Sequence, residues 1–192
     1  MIQPLQAEQL RGNWATLMLP INADESIDYA RLADELDALI AANVDGLYTN
    51  GTAGEFHTQS EAEFDAIHDL VAERCNRAAM PFQIGASHMS AQISLERIRR
   101  ARQFQPSAFQ VILADWFPLK ESEMVACLER MAAAADPIGL VLYTPPHAKV
   151  VLPPAQIGRL HAAVPAIIGV KVADGDAAWY AEVRAHCQGV AV

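Results

Sequence analysis

Short apolar segments alternate with longer amphipathic segments along the whole chain. The apolar segments are hydrophobic on both faces, as in IIGV, GLVLY and FQVIL, which is typical of parallel strands buried between layers. They predict strands at residues 14–19, 46–49, 82–86, 109–113, 139–143 and 167–172, so strand starts recur roughly every thirty residues. Regular alternation of strand and helix predicts an α/β fold with a parallel sheet and right-handed crossovers.

The segments between the strands have helical periodicity. In residues 27–42 the apolar side chains fall on one stripe, with Ser26 as the predicted N-cap and Asn43 as the predicted C-terminal stop. A second helix follows Ser60, where Glu63 stands three residues later as in a capping box. The helices are predicted at 27–42, 61–74, 91–103, 121–135, 154–163 and 176–186.

Two α/β architectures have this alternation, the doubly wound open sheet and the TIM (β/α)8 barrel. A doubly wound nucleotide-binding fold usually has a glycine-rich turn after its first strand, whereas this strand ends in Leu19-Pro20-Ile21-Asn22. We therefore predict the barrel. Six βα units end near His186, and residues 189–192 read as the start of a seventh strand. Because a complete barrel typically needs about 250 residues, we expect 1–192 to be a single barrel domain that is incomplete at its C-terminus.

Composition excludes several classes of protein. Hydrophobic residues make up 52% and charged residues 19%, which provides a core and argues against disorder. The net charge of −9 gives no basic footprint, so we expect neither nucleic acid nor a membrane surface as a partner. Three dispersed cysteines and an N-terminus without signal-peptide character predict a cytoplasmic location.

Lysine is rare and one of its three positions is unusual. Lys171 stands within the apolar strand IIGVKVA, whereas Lys120 and Lys149 fall in predicted loops. Burial disfavours the charged ammonium, and a neutral amine in a dry pocket is what Schiff-base chemistry with a 2-oxo acid requires. The alternative is a structural lysine that reaches solvent or pairs with a carboxylate such as Asp174.

Two further motifs stand at the ends of predicted strands. Residues 50–56 read NGTAGEF, in which two glycines flank small residues and can turn backbone N–H groups towards one point to bind an anion. Tyr143, followed by Thr144-Pro145-Pro146, could exchange a proton over the barrel mouth. An ordinary βα turn and a core tyrosine are the alternatives. All three features lie at C-terminal strand ends, where barrel enzymes carry their chemistry.

These motifs, in this order, resemble the dihydrodipicolinate synthase / N-acetylneuraminate lyase superfamily of class I pyruvate aldolases. The resemblance rests on GTAGE at 51–55, Tyr-x-x-Pro at 143–146 and G-V-K at 169–171, and it extends over the whole chain. The spacing of 28 residues from Tyr143 to Lys171 also agrees with the family pattern.

The resemblance implies a role for each motif. Lys171 would form the imine with pyruvate or a related 2-oxo acid, and Tyr143 would act as the general acid and base. Gly51, Thr52 and Ala53 would form the turn that holds the substrate carboxylate, with the Thr52 hydroxyl in a proton relay. The imine itself is the electron sink, so the resemblance implies no metal and no organic cofactor. Family members are usually dimers or tetramers, which implies a homo-oligomer.

The sequence departs from the synthases at two places. Those enzymes resemble this chain but carry a tyrosine pair after the fourth strand, where residues 113–117 read LADWF, and an arginine where this chain has Ala148. Both differences argue against the lysine-biosynthesis synthase. The loops after the third, fourth and fifth strands offer other candidate substrate contacts, which are Asp115, Trp116, His147, Lys149 and His88. Asp115 and His147 would suit a polar, hydroxylated substrate.

The leading functional hypothesis is a Schiff-base lyase of the aldolase type that acts on pyruvate or a related 2-oxo acid. A hydro-lyase that dehydrates a deoxy-sugar acid through the same lysine imine is the first alternative. A barrel that binds a 2-oxo acid without turnover is the second, although the retained Lys171, Tyr143 and Thr52 argue against it. A phosphate-binding isomerase barrel is a weaker alternative, since its phosphate site typically uses loops after the seventh and eighth strands.

Overall fold

A computed structural model of the chain describes residues 3–114 and 116–192. Within these ranges six parallel strands form one sheet, and their order in the sheet is their order in the chain. The strands are β1 (Trp14–Thr16), β2 (Gly46–Tyr48), β3 (Phe82–Gly85), β4 (Ala108–Val111), β5 (Leu140–Thr144) and β6 (Ile167–Val172). This sequential order is that of a (β/α)8 barrel, whereas a doubly wound sheet reverses direction at a switch point. The prediction of a barrel is confirmed, with six βα units in this chain.

Residues after the last helix return to the sheet beside β6. Ala191 forms a parallel bridge with Gly169. The backbone N–H of Ala191 donates to the carbonyl of Ile168 at 3.0 Å, and that of Val170 donates to the carbonyl of Ala191 at 2.8 Å. The expected start of a seventh strand is therefore present as an isolated bridge.

Each crossover carries a helix close to its predicted position. The helices are α1 (Tyr29–Ala41), α2 (Glu61–Ala78), α3 (Ala91–Ala101), α4 (Glu121–Ala135), α5 (Pro154–Ala163) and α6 (Ala177–His186). Short 3-10 turns occupy Ala7–Gln9, Thr52–Gly54 and Arg102–Phe104. Within the described part of the chain, no helix combines the length and the apolar character needed to cross a bilayer.

The helix caps test the local predictions. Ser60 and Glu63 form the predicted capping box, with the Ser60 N–H donating to Glu63 Oε2 at 2.8 Å. Asn43 follows α1 with a φ of 55°, in agreement with its predicted role as a stop. The N-cap prediction for α1 was wrong. Asp28 caps this helix by accepting from the backbone N–H of Arg31 at 3.0 Å, because the backbone around Ser26 is held in a preceding turn.

The core lies between the sheet and the helices, and β3 and β4 are buried along their whole lengths. Long polar side chains stand within three of the strands: Gln83 on β3, Gln110 on β4 and Lys171 on β6. All three line the same cavity together with Tyr48 and Val141, so they share one face of the sheet. That face carries the candidate site.

Candidate active site

Lys171 and Tyr143 are neighbours across two adjacent strands. They are paired residues in the parallel register of β5 and β6, close to the C-terminal end of both strands. The Lys171 Nζ lies 4.3 Å from the centroid of the Tyr143 ring and 4.1 Å from that of the Tyr48 ring. The amine is therefore enclosed by two aromatic rings at the strand ends.

Burial controls the protonation of this amine. Desolvation lowers the pKa of Lys171 from 10.5 to about 8, because the charged ammonium loses hydration in this position. No Lys171 ion pair occurs among the described residues, so the alternative of a structural pair with Asp174 is not observed. Attraction of the ammonium to the two rings opposes desolvation and keeps part of the charge stabilised.

The turn after β2 brings backbone close to the same amine. Gly51 precedes the 3-10 turn Thr52–Gly54, and an added Cβ at Gly51 would lie only 2.7 Å from Lys171 Nζ. The turn is held from outside by Gln59, whose side-chain amide exchanges two hydrogen bonds with that of Asn50, at 3.0 and 2.9 Å. Glycine at position 51 thus provides the room that the lysine amine occupies.

Thr52 and Tyr143 complete a connected group. The Thr52 Oγ1 and the Tyr143 hydroxyl lie 3.1 Å apart, within hydrogen-bond distance, although 91 residues separate them in the chain. The Tyr143 side chain is buried against Phe56 and Ile112, which limits its motion. Ala53 follows Thr52 on the exposed side of the same turn. The structure therefore brings Lys171, Tyr143, Thr52 and Gly51 into one site.

The other candidate contacts differ in their placement. His147 lines a groove that it shares with Tyr143. Trp116 is 69% exposed, and Lys149 lies against it, with Nζ 4.8 Å from a ring centroid and donating to the Trp116 carbonyl. His88 accepts at Nδ1 from the Ser90 N–H at 2.9 Å within its own loop. Asp115 lies outside the described residues.

Two polar features of the site face were missed by the sequence reasoning. Tyr48 supplies one of the two rings around the Lys171 amine, and Gln110 donates from Nε2 to the Asn50 carbonyl at 3.4 Å while its Oε1 has no partner among the described residues. A signal for Gln110 was present, because a polar side chain in an apolar strand is the same feature that singled out Lys171. For Tyr48 the signal was its position at the end of a predicted strand.

Arg97 on α3 is a third residue that the sequence reasoning missed, and it holds loops beside the site. It is fully buried, and its Nη1 donates to the Ser87 carbonyl at 2.8 Å and to the Phe56 carbonyl at 3.5 Å. Its Nε and Nη2 donate to Glu61 Oε1 at 2.9 and 2.7 Å. Arg97 thereby joins the loops after β2 and β3 to α2. Nothing in its local sequence distinguishes it from the neighbouring Arg99 and Arg100.

Comparison with known proteins agrees with this geometry. The profile of the dihydrodipicolinate synthetase family matches residues 9–190. The chain belongs to this family. Within the family it is 32% identical, over 71% of its length, to a 4-hydroxy-tetrahydrodipicolinate synthase of Thermomicrobium roseum, and 26% identical over 93% to an N-acetylneuraminate lyase of Enterobacter sp. strain 638.

A solved structure of the family has the same fold. It is YagE, a prophage protein of E. coli K12 in complex with pyruvate, with a TM-score of 0.85 and 26% identity over 94% of this chain. The chain spans 44% and 60% of the length of the synthase and the lyase, and 62% of that of YagE. The family relatives thus include both synthases and lyases.

Proposed function

We propose that this protein is a class I aldolase-type lyase that binds pyruvate or a related 2-oxo acid as an imine on Lys171. The observation that carries the proposal is the position of the desolvated Lys171 amine beside Tyr143, whose hydroxyl is within hydrogen-bond distance of Thr52. Imine chemistry needs a neutral amine, a proton carrier and a hydroxyl relay in one place.

Imine formation uses these groups in sequence. The lone pair of the neutral Lys171 Nζ attacks the C2 carbonyl carbon, and the carbonyl oxygen takes a proton from the Tyr143 hydroxyl. The nitrogen of this adduct then gives one of its two protons to the Tyr143 phenolate, and Tyr143 passes it to the hydroxyl on C2, which leaves as water while the C=N bond forms with a positive charge on nitrogen. The Thr52 hydroxyl takes a proton from water and gives its own to the Tyr143 phenolate through their hydrogen bond, which restores both hydroxyls. The substrate carboxylate lies at the backbone N–H groups of Thr52 and Ala53, which have no partner within their own turn.

The imine then permits carbon–carbon cleavage. When the bond between C3 and C4 breaks, its electron pair moves into the C=N system and gives an enamine, while the C4 hydroxyl loses its proton and becomes an aldehyde. Protonation at C3 and attack of water on C2 release pyruvate and restore the amine. Tyr143 is the group placed to carry these protons.

We further propose that the reaction is not that of the lysine-biosynthesis synthase, although a named synthase is among the relatives. By the resemblance, the second substrate of those enzymes is held by an arginine, and this chain has Ala148 at that position. A homo-oligomeric state, a cytoplasmic location and a single barrel domain over residues 1–192 also stay predictions.

Borohydride trapping with pyruvate tests the proposal. Reduction of the imine converts it to a stable secondary amine, which intact and peptide mass spectrometry locate on a particular lysine. We expect a pyruvate adduct on Lys171 that is absent in Lys171→Ala and unchanged in Lys120→Ala, which removes an exposed amine far along the chain from the site motifs. No adduct on folded protein, with pyruvate and with larger 2-oxo acids, would favour a barrel that binds without turnover.

A further inference from the structure

A groove beside Tyr143 points to the chemistry of the group that the 2-oxo acid carries. We propose that this groove holds an apolar substituent, a short alkyl chain, on C4 of the substrate or on the aldehyde that condenses with pyruvate. The inference rests on the proposed function, because it concerns the second half of the same reaction.

Tyr143 connects the groove with the reacting groups. Tyr143 belongs to both, since its hydroxyl lies 3.1 Å from Thr52 Oγ1 and its ring 4.3 Å from Lys171 Nζ, while its side chain also lines the groove. The other walls come from the loops after β2, β3, β4 and β5, from β5 itself and from α4. Lys171 itself lines the cavity on the sheet face and not this groove, so the proposed chain reaches the groove by passing Tyr143.

The groove walls are almost entirely apolar. The walls include Leu113, Leu119, Met124, Val150, Leu152 and Met89, together with Phe56, which packs against Tyr143. Position 148, where the resemblance implies an arginine in the synthases, contributes only an alanine methyl. The described lining therefore contains no lysine or arginine to bind a second carboxylate.

The three polar side chains in the described lining provide few hydrogen-bond partners for a polyol. The Tyr143 hydroxyl is engaged with Thr52, and the Thr144 hydroxyl donates to the Lys171 carbonyl at 3.4 Å, which leaves His147 at the rim. A chain with several hydroxyls would lose its water without gaining partners, and each unpaired hydroxyl reduces affinity by about tenfold. The described lining, which includes His147 while Asp115 lies outside the described residues, therefore favours an apolar substituent over a hydroxylated one.

The enclosed volume limits the size of the substituent. The groove encloses about 60 Å³. A cavity of about 150 Å³ is known to hold a benzene ring, so the smaller volume of this groove favours a short alkyl chain over an aryl group. The proposed substrate class is thus a 4-hydroxy-2-oxo acid with an alkyl tail, or the corresponding aliphatic aldehyde and pyruvate.

The test compares two 2-oxo acids on the same six-carbon skeleton, 2-oxohexanoate and its 4,5,6-trihydroxy derivative. Borohydride trapping on Lys171 gives the half-saturating concentration of each acid. This concentration is corrected for the open-chain fraction of the acid, which 13C NMR measures. Pyruvate, the head group that both acids share, is measured in the same way. We expect 2-oxohexanoate to half-saturate at a concentration at least tenfold below that of the trihydroxy acid.

Variants assign the preference to the groove. Leu113→Asn places an amide in the groove wall. We expect this change to raise the half-saturating concentration of 2-oxohexanoate at least fivefold and to alter that of pyruvate by less than twofold. Leu70→Asn makes the same change at a half-buried position on α2 outside the groove and should alter neither value. If Leu113→Asn does not fold, Leu119→Asn replaces it.

The outcomes separate this inference from the proposed function. If pyruvate is trapped on Lys171 but the trihydroxy acid binds as well as 2-oxohexanoate or better, the apolar substituent is refuted and the imine chemistry stands. If pyruvate and both longer acids fail to react with folded protein, the proposed function is refuted and the inference with it.

Discussion

The Lys171 amine is expected to react with an acylating reagent at a rate that rises with pH and levels off above about pH 8, where most of it is neutral. The cause is burial between two rings, which removes hydration from the ammonium without providing a carboxylate among the described residues. Only the neutral amine is nucleophilic, so its reactivity follows its titration.

The magnitude follows from the two pKa values. With a pKa of about 8, roughly one amine in ten is neutral at pH 7, whereas at the ordinary value of 10.5 about three in ten thousand would be. The site therefore increases the neutral fraction of Lys171 at pH 7 by about 300-fold. This enrichment is what allows an amine to form imines near neutral pH.

Trace labelling with acetic anhydride from pH 6 to pH 11, followed by peptide mass spectrometry, measures this titration. Lys120 is exposed and is labelled in the same sample, so it corrects for decay of the reagent. Tyr48→Leu should move the Lys171 midpoint to lower pH, because the ammonium loses the attraction of one ring. A Lys171 midpoint near 10.5, or one that moves upward in Tyr48→Leu, would refute the reasoning.

Three further predictions concern the surroundings of this amine. Tyr143→Phe should slow pyruvate imine formation about 100- to 10,000-fold in a trapping time course, because it removes the proton carrier. Gly51→Ala should slow it at least tenfold, because the new Cβ would stand 2.7 Å from Lys171 Nζ, while its backbone φ of −75° allows alanine. Glu61→Ala should lower the free energy of unfolding by about 2–3 kcal/mol in urea titrations, because buried Arg97 loses its hydrogen bonds to the half-exposed carboxylate.

Each of these predictions has a result that contradicts it. Unchanged trapping in folded Tyr143→Phe would remove this hydroxyl from the proton path. A normal rate in Gly51→Ala would mean that the amine does not need the space beside the turn. For Glu61→Ala, stability equal to that of the parent would mean that the Ser87 and Phe56 carbonyls satisfy Arg97 without the carboxylate.

Local patterns in the sequence predicted most of the fold. Strand β6 and helices α4 and α5 were predicted with their observed bounds, because apolar periodicity and cap residues act over a few neighbouring positions. The Ser26 cap was wrong because a competing turn placed the helix start at Asp28. The choice of a barrel over an open sheet rested on a missing glycine-rich turn, which the strand order then confirmed.

The candidate site was predictable only in part. Lys171 is conspicuous in the sequence because a lysine interrupts an apolar strand. Tyr143 and the turn that contains Thr52 stand at predicted strand ends, and the resemblance supplied their roles. Their contact depends on strand register and on the turn after β2, which bring together groups 91 residues apart. Sequence spacing alone does not specify such a distance.

What the sequence by itself determined is the set of elements, their order and a lysine within an apolar strand, since hydrophobic period and side-chain type are local properties. Only the tertiary structure decided what surrounds that lysine: the Tyr48 ring, the Gly51 turn, the loops that Arg97 anchors and the apolar groove. These contacts join distant segments, and their geometry is the result of packing the whole core rather than of any one segment.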